Sequence, residues 1–558
     1  MVVNMKYRDD KNKSNTNTLY AAAMLIGAFC FLAVYGFRVL NPLYDDWLLN
    51  RGDLTQHYLG WCFFREGAWR FPFGLTDRLA YPDCSSVIFT DSIPLFAVFF
   101  KLLSPVLPQT FQYFGWWGLA CFMLQGLFAA KILRELGVGK LQTLISSVFF
   151  ILSPVVIEKM FRHTALGGHW IILAAIYLFV RHRKIYTDVK RTALYWGLVG
   201  AYIGSVHMYL LPMCGAFLCG FVLCSLLKKA RLKTKISYLL PGAAFGLGLF
   251  VCTYVLGGFS TRADAGSNDL GEFSFNLNGF FNAKGYSRFF PALSTYRDGQ
   301  YEGFAYLGLG VYLLLAAALV YVVRLALKRV RFAQRKDKAD FILYGTVVIL
   351  MSVGLILFAA SPEVTFGDKL LFVLTDSSTL THYWGMFRSS GRIVWPVCYL
   401  IMIGAVVCCD RLISQKRIAA AVLAVCVCVQ MFDISGKLIA QHKTFAGAVT
   451  YESPLKSDVW TRLSKSGAFS HIVWVSHNID NNGIMHIAKF AYDNGLTMNN
   501  YYFARGINVN ENTEKSLARK DADCIFIFRR DETQNIAEYG LHLYEADEYI
   551  VATVNEID

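Results

Sequence analysis

Long apolar runs recur along this chain, separated by short polar segments that are rich in lysine and arginine. The first run, Leu19 to Leu40, follows a polar tail (1–18) carrying Lys6, Arg8, Lys11 and Lys13. It is too long for a signal-peptide core, and no small-residue cleavage site follows it, so it predicts an uncleaved span. Later runs centre near 112–133, 141–157, 167–180, 192–207, 209–227, 236–257, 305–327, 340–360, 393–409 and 417–433. A membrane-crossing helix needs about 20 apolar residues, and the pattern predicts about eleven spans. The stretch 87–107 is also apolar but contains Asp91, Pro94, Lys101 and Pro105, which predicts an interfacial or re-entrant helix. Beyond residue 435 the pattern changes. His471–Ser476, Cys524–Phe528 and Tyr549–Val554 predict strands, and Ile484–Asn494 and Thr513–Arg519 predict helices. Strands alternating with helices predict a small α/β domain.

Charge orients this pattern. With the N-terminal tail in the cytoplasm, the inner loops carry Arg134 and Lys140, Arg181 to Arg191, Lys228 to Lys235, Lys328 to Lys338, and Arg411 to Arg417, all basic clusters. Such a bias marks cytoplasmic loops. Three long loops then face outwards, at 41–112, 258–304 and 361–392, and an odd span count puts 435–558 outside as well. The expected fold is therefore mainly α: a polytopic bundle over 19–434 with a small C-terminal extracytoplasmic α/β domain.

Composition agrees. The chain has 558 residues, 55% apolar and 17% charged, against about 45–50% and about 25% in soluble domains. The net charge of +14 follows from the basic loops and calls for no nucleic acid. No C-x-x-C pair occurs among the 14 cysteines, most of which sit in apolar runs as small hydrophobes. Cys62 and Cys84 lie in polar segments, where a disulfide is open but unsupported by spacing. No P-loop, H-E-x-x-H or G-x-S-x-G motif is present.

The first outer loop holds the most informative residues: Asp45-Asp46-Trp47, then Gly52-Asp53 through Tyr58, then Arg65 through Pro72. They predict a short amphipathic helix with Asp53 near its start, where a carboxylate suits the helix dipole. Tyr58, Trp61 and Trp69 would sit at the membrane interface. Taken singly, each residue is better explained as a helix cap or an aromatic anchor.

Together these residues resemble the GT-C superfamily of membrane glycosyltransferases, in which an acidic residue in the first outer loop precedes an amphipathic helix and a Gly-x-Trp-x-x-Pro-like turn. Here Asp53 leads to Gly67-Ala68-Trp69-Arg70-Phe71-Pro72. The chain looks most like a bacterial branch marked by Arg162-His163…His169-Trp170, Tyr301-Glu302-Gly303-Phe304 and Phe387-Arg388-Ser389-Ser390-Gly391-Arg392. The resemblance implies a sugar donor carried on a polyprenyl phosphate or diphosphate. The acceptor would be an envelope glycan, lipid or protein at the outer face of a bacterial plasma membrane, among membrane lipids. It implies a carboxylate base, with Asp53 as first choice, Asp46 as second and Asp45 as partner. Some members hold a divalent cation with acidic residues, for which Asp45 and Asp46 are weak candidates; no other cofactor is required. Arg162, His163, His169, Arg388 and Arg392 are candidates for binding the lipid phosphate, since arginine stabilises departing phosphate charge. Headgroup anchoring and helix capping are the plain alternatives for these side chains. Two other functions fit the same pattern: a flippase for lipid-linked saccharide, and an envelope assembly scaffold.

Overall fold

The computed structural model describes residues 11–49, 51–181, 188–227, 232–260, 269–327, 335–476, 482–504, 510–532 and 536–557. Several basic loop residues, among them Arg183, Lys184, Lys228, Lys229, Arg329 and Arg331, lie outside that set. Each of the eleven apolar runs coincides with a helix, from Lys11–Tyr35 to Lys416–Asp433. Seven helical segments are long and apolar enough to cross a membrane, and an eighth results if Lys416–Asp433 and Ser435–Ala446 form one span bent by 60°. Thr164–Val180 and Leu309–Arg324 are apolar but shorter. Val189–Val206 carries enough polar residues to fall outside both groups. The protein is thus a mainly helical, membrane-embedded bundle.

The bend is built by Asp433, which is fully buried. Its Oδ2 accepts from Tyr306 Oη at 2.7 Å and from the Leu309 amide at 2.9 Å. A carboxylate with this many donors fixes where the chain turns. The following helix, Ser435–Ala446, lies against the first one: His442 Nδ1 is 2.9 Å from the Ala33 carbonyl, and Phe445 meets Tyr35 edge-on at 5.5 Å.

The loop 41–112 folds inward. Helix Asp53–Glu66 begins after Gly52, and everything from Leu54 to Phe64 is buried. It is therefore not the amphipathic interfacial helix expected from its sequence. Trp61 donates from its indole to the Phe111 carbonyl at 3.0 Å, and Tyr58 donates to Asp45 Oδ2 at 2.7 Å. Both aromatics are core residues, whereas Trp69 remains 46% exposed. Residues 87–107 break at Asp91 and Ile93, both in left-handed conformation. Their helix, Pro94–Leu102, has nine residues, about 14 Å at 1.5 Å per residue, too short to cross a bilayer. Cys62 and Cys84 are both free thiols.

The C-terminal region forms a five-stranded sheet in the order Thr497–Met498, His471–Trp474, Cys524–Arg529, Tyr549–Thr553, His542–Ala546. The first three strands are parallel and the last two antiparallel to their neighbours. Helices Asp458–Ser466, Gly483–Asp493 and Asn510–Arg519 accompany it. The sheet region docks on the loop 41–112. Leu79 bridges to Met498, Tyr501 Oη donates to the Gln56 carbonyl at 2.6 Å, and the Ala504 amide donates to the Phe89 carbonyl at 2.7 Å. One apolar core runs from the bundle through helix Asp53–Glu66 into the sheet region.

Candidate functional site

A cavity of about 600 Å³ opens where the three long loops, the turn 158–163, the helix Ser435–Ala446 and the sheet region meet. Its floor is a buried charge cluster centred on Glu302. Glu302 Oε2 accepts from Lys159 Nζ at 2.6 Å and from Arg392 Nε at 2.7 Å. Its Oε1 lies 3.2 Å from His163 Nε2. The Lys159, Glu302 and Arg392 side chains are all less than a tenth exposed. Glu302 sits in the short helical turn Asp298–Gly303 and Arg392 in the turn Ser390–Val394. The two turns touch through glycine: a side-chain carbon on Gly391 would stand 2.7 Å from the Gly303 Cα. The Y-E-G-F and S-S-G-R motifs are thus brought together by backbone contact.

Lys159 ends the short helix Pro154–Lys159. The chain then turns at Phe161, a buried residue with φ of 61°. A left-handed backbone at a bulky residue costs on the order of 1–3 kcal/mol. The cost is offset by close ring packing against Tyr35, Trp47 and Phe445, with centroids 4.9, 4.9 and 5.2 Å away. This turn delivers Arg162 and His163 to the cavity.

His163 joins the floor to the candidate base. Its Nδ1 is 3.2 Å from Asp53 Oδ2, and its Nε2 is 3.2 Å from Arg392 Nη2. The imidazole thus bridges the carboxylate of Asp53 to the Glu302–Arg392 pair, with Glu302 Oε1 and Arg392 Nη2 both 3.2 Å from Nε2. Burial pushes the His163 pKa well below its ordinary value, and Arg392 and Lys159 push the same way; the ring is neutral. Burial pushes Glu302 up, but Arg392 and Lys159 outweigh it and hold the carboxyl well below the usual carboxylate range. Asp53 behaves oppositely. Burial raises its pKa, and Arg392 and Arg162 offset that only in part. It is an accessible carboxylate of raised proton affinity, 28% exposed, at the N-terminus of its helix.

The walls are cationic and aromatic. Arg162 pairs with Glu158 and lies 5.0 Å over the Tyr301 ring. Arg388 lies 5.2 Å over Phe273 and 4.0 Å from Asp269. Tyr502, from the C-terminal region, lines the cavity; burial and then Asp53 push its phenol up to about 12.

Asp53, Arg162, His163, Arg388 and Arg392 therefore share one cavity. Asp46 and His169, expected beside them, lie elsewhere. Asp46 Oδ1 accepts from the Tyr451 amide at 2.8 Å, and Asp45 is taken by Tyr58. His169 is buried inside the bundle, stacked on Trp395 at 4.5 Å with Nδ1 2.8 Å from Tyr399 Oη. Among the described residues, no group of three or more His, Cys, Asp or Glu is placed to hold a metal ion. Arg388 and Arg392 are not one helical face, since Arg388 precedes the turn that holds Arg392. Sequence reasoning passed over Glu158, Lys159, Arg51, Lys437 and Tyr502. Only the first two carry a signal, as charges ending an apolar run on the side where basic bias does not operate.

The fold and this cavity define a membrane-embedded helical protein whose long loops and C-terminal sheet region enclose a charged, carboxylate-bearing site. The chain belongs to the family described as domain of unknown function DUF6311, whose family model matches residues 24–435. The DUF6311 C-terminal domain matches residues 459–554. No curated protein matches the chain.

Proposed function

We propose that this protein is a GT-C-like glycosyltransferase of about eleven spans with a cytoplasmic N-terminus. Its cavity works at the outer face of a bacterial plasma membrane, on a polyprenyl-phosphate-type sugar donor. The observation that carries the reading is the convergence of Asp53 with Arg162, Arg388 and Arg392 in one cavity. Asp53 takes the proton of the acceptor hydroxyl, for which its raised proton affinity suits it. The acceptor oxygen bonds to the anomeric carbon as the bond from that carbon to the donor phosphate oxygen breaks. The departing phosphate is received by Arg162 and Arg388, whose side chains are 45% and 49% exposed. Arg392 is buried and tied to Glu302, so it acts by placing His163, whose Nδ1 is in contact with Asp53. Beneath the cavity the interior is filled by Trp395, Tyr399 and His169, which favours transfer over passage of a saccharide to the other face.

Asp53→Asn keeps the shape but loses the charge. In proteoliposomes with a polyprenyl-phosphate-sugar donor and extracted envelope acceptor, turnover should fall about 10²–10⁴-fold. Equal turnover at equal protein abundance would remove Asp53 as the base.

A further inference from the structure

The cavity's cations are not equivalent. Five line it (Arg51, Arg162, Arg388, Arg392 and Lys437), against three carboxylates (Asp53, Glu158 and Glu302); five minus three leaves +2 with His163 neutral. Arg162 is paired with Glu158, and Arg392 shares Glu302 with Lys159. Among the described residues, no carboxylate pairs with Arg51 or Lys437. Arg51 donates to the Thr444 carbonyl at 3.1 Å and lies 5.1 Å over Phe445. Lys437 lies 4.8 Å over Tyr286. Arg51 and Lys437 are thus the lining cations without a carboxylate partner among the described residues, while Arg388 stands on the wall with Phe273, 4.0 Å from Asp269.

Both residues are held in place by the bend. Lys437, Gln441 and Thr444 line the cavity from one face of the helix Ser435–Ala446, at the spacing of successive helical turns. That helix is fixed at its start by buried Asp433 and along its length by the first span. Arg51 reaches the same helix from the loop 41–112 through Thr444 and Phe445. The result is a guanidinium, an ammonium, an amide and a hydroxyl on one wall: two groups for an oxyanion and two for sugar hydroxyls.

We propose that Arg51, Lys437 and Gln441 form a second anion subsite that takes an acidic sugar unit of the acceptor, separate from the donor-phosphate wall of Arg162 and Arg388. The acid is a carboxylate or a phosphate monoester on the sugar; both present the same oxyanion to these groups. The word acceptor rests on the transfer reading. The anion subsite itself rests on the geometry and is tested without turnover.

The test is equilibrium binding to the purified full-length protein in nanodiscs, with glucuronate, glucose 6-phosphate and glucose as probes. At least one acidic sugar should bind about tenfold or more tightly than glucose, and which of the two wins identifies the anion. Raising salt from 50 to 500 mM should weaken the acidic probe and leave glucose unchanged. Arg51→Gln/Lys437→Gln should remove the preference, and Lys437→Arg should keep it. Should the double variant fail to fold, Lys437→Gln alone should cut the preference at least threefold. Equal binding of acidic and neutral sugars overturns the subsite. So does a preference that survives the double variant, or one lost on Arg388→Gln instead. A positive result with no glycosyl transfer would leave the subsite standing and remove only the transfer reading.

Discussion

Glu302 offers the sharpest perturbation. In the wild type it is the one carboxylate against two buried cations, Lys159 and Arg392, so the trio carries a net +1. Glu302→Gln preserves the shape and raises that to +2 in a site screened from water. Breaking a buried pair by removing one partner costs about 3–5 kcal/mol, because the other charge stays buried without compensation. Here two cations lose their acceptor, so the upper part of that range applies. Lys159→Met combined with Glu302→Gln returns the trio to +1. The double variant should therefore be less destabilised than the sum of the singles, by about 0.5–3 kcal/mol of coupling. Denaturant unfolding of the detergent-solubilised proteins, followed by tryptophan fluorescence, measures all four corners of the cycle. A Glu302→Gln protein within about 1 kcal/mol of wild type, or strictly additive singles, would refute the claim that this cluster is a buried, mutually compensated unit.

Further expectations follow from the same geometry. Asp53 is raised by burial, so its carboxylate form, and with it turnover, should appear as pH rises through a value above the ordinary ~3.9; because Glu302 raises Asp53 further, the acid limb of the pH–rate profile should move to lower pH in Glu302→Gln. Stability should show the opposite sign at Glu302: its pKa is depressed, so its contribution is complete above about pH 4.3 and is lost as pH falls through the depressed value, readable in unfolding midpoints taken between pH 7 and 3. Arg162→Lys keeps the charge but loses the planar fork, so it should raise the KM for donor more than it lowers thermal stability. Reporter fusions after Asn41, Lys229 and Asp558 should read outside, inside and outside, and an inside reading at Asp558 would move the cavity to the wrong face.

The helices were legible because a membrane span is a local property: some twenty apolar residues between polar ends suffice, and all eleven runs are helical here. The loop helix Asp53–Glu66 was legible as a helix but not in its surroundings. Its sequence shows Gln56, His57 and Arg65 among aromatics and reads as two-faced. Gln56 Nε2 instead donates to the Tyr502 carbonyl at 2.5 Å, an acceptor about 450 residues away that no local pattern reveals. The same limit applies to the site. Arg162-His163 and Arg388…Arg392 drew notice as outer charges beside apolar runs, but nothing local says that Arg392 is buried on Glu302 while Arg388 is exposed. His169 drew notice for the same reason and lies in the bundle instead, because its ring finds Trp395 and Tyr399 there. Lys437 and Gln441 were hidden because residue 435 reads as the end of the membrane region, whereas the bend at Asp433 returns the next helix to the cavity.

The enclosure of helix Asp53–Glu66 has a consequence for the order of events during synthesis. The helix is made early, yet the residues that cover it, Tyr501 to Ala504, emerge only after about 430 more residues, roughly 20–90 s later at ordinary elongation rates. Through that interval the face of the helix that meets Tyr501, with Asp53 at the helix start, stands uncovered. A chain interrupted between residues 392 and 500 would carry every charge of the buried cluster but lack Tyr502 from the cavity wall, so such half-made copies have no closed cavity. Completion of the polypeptide is itself the step that closes the site.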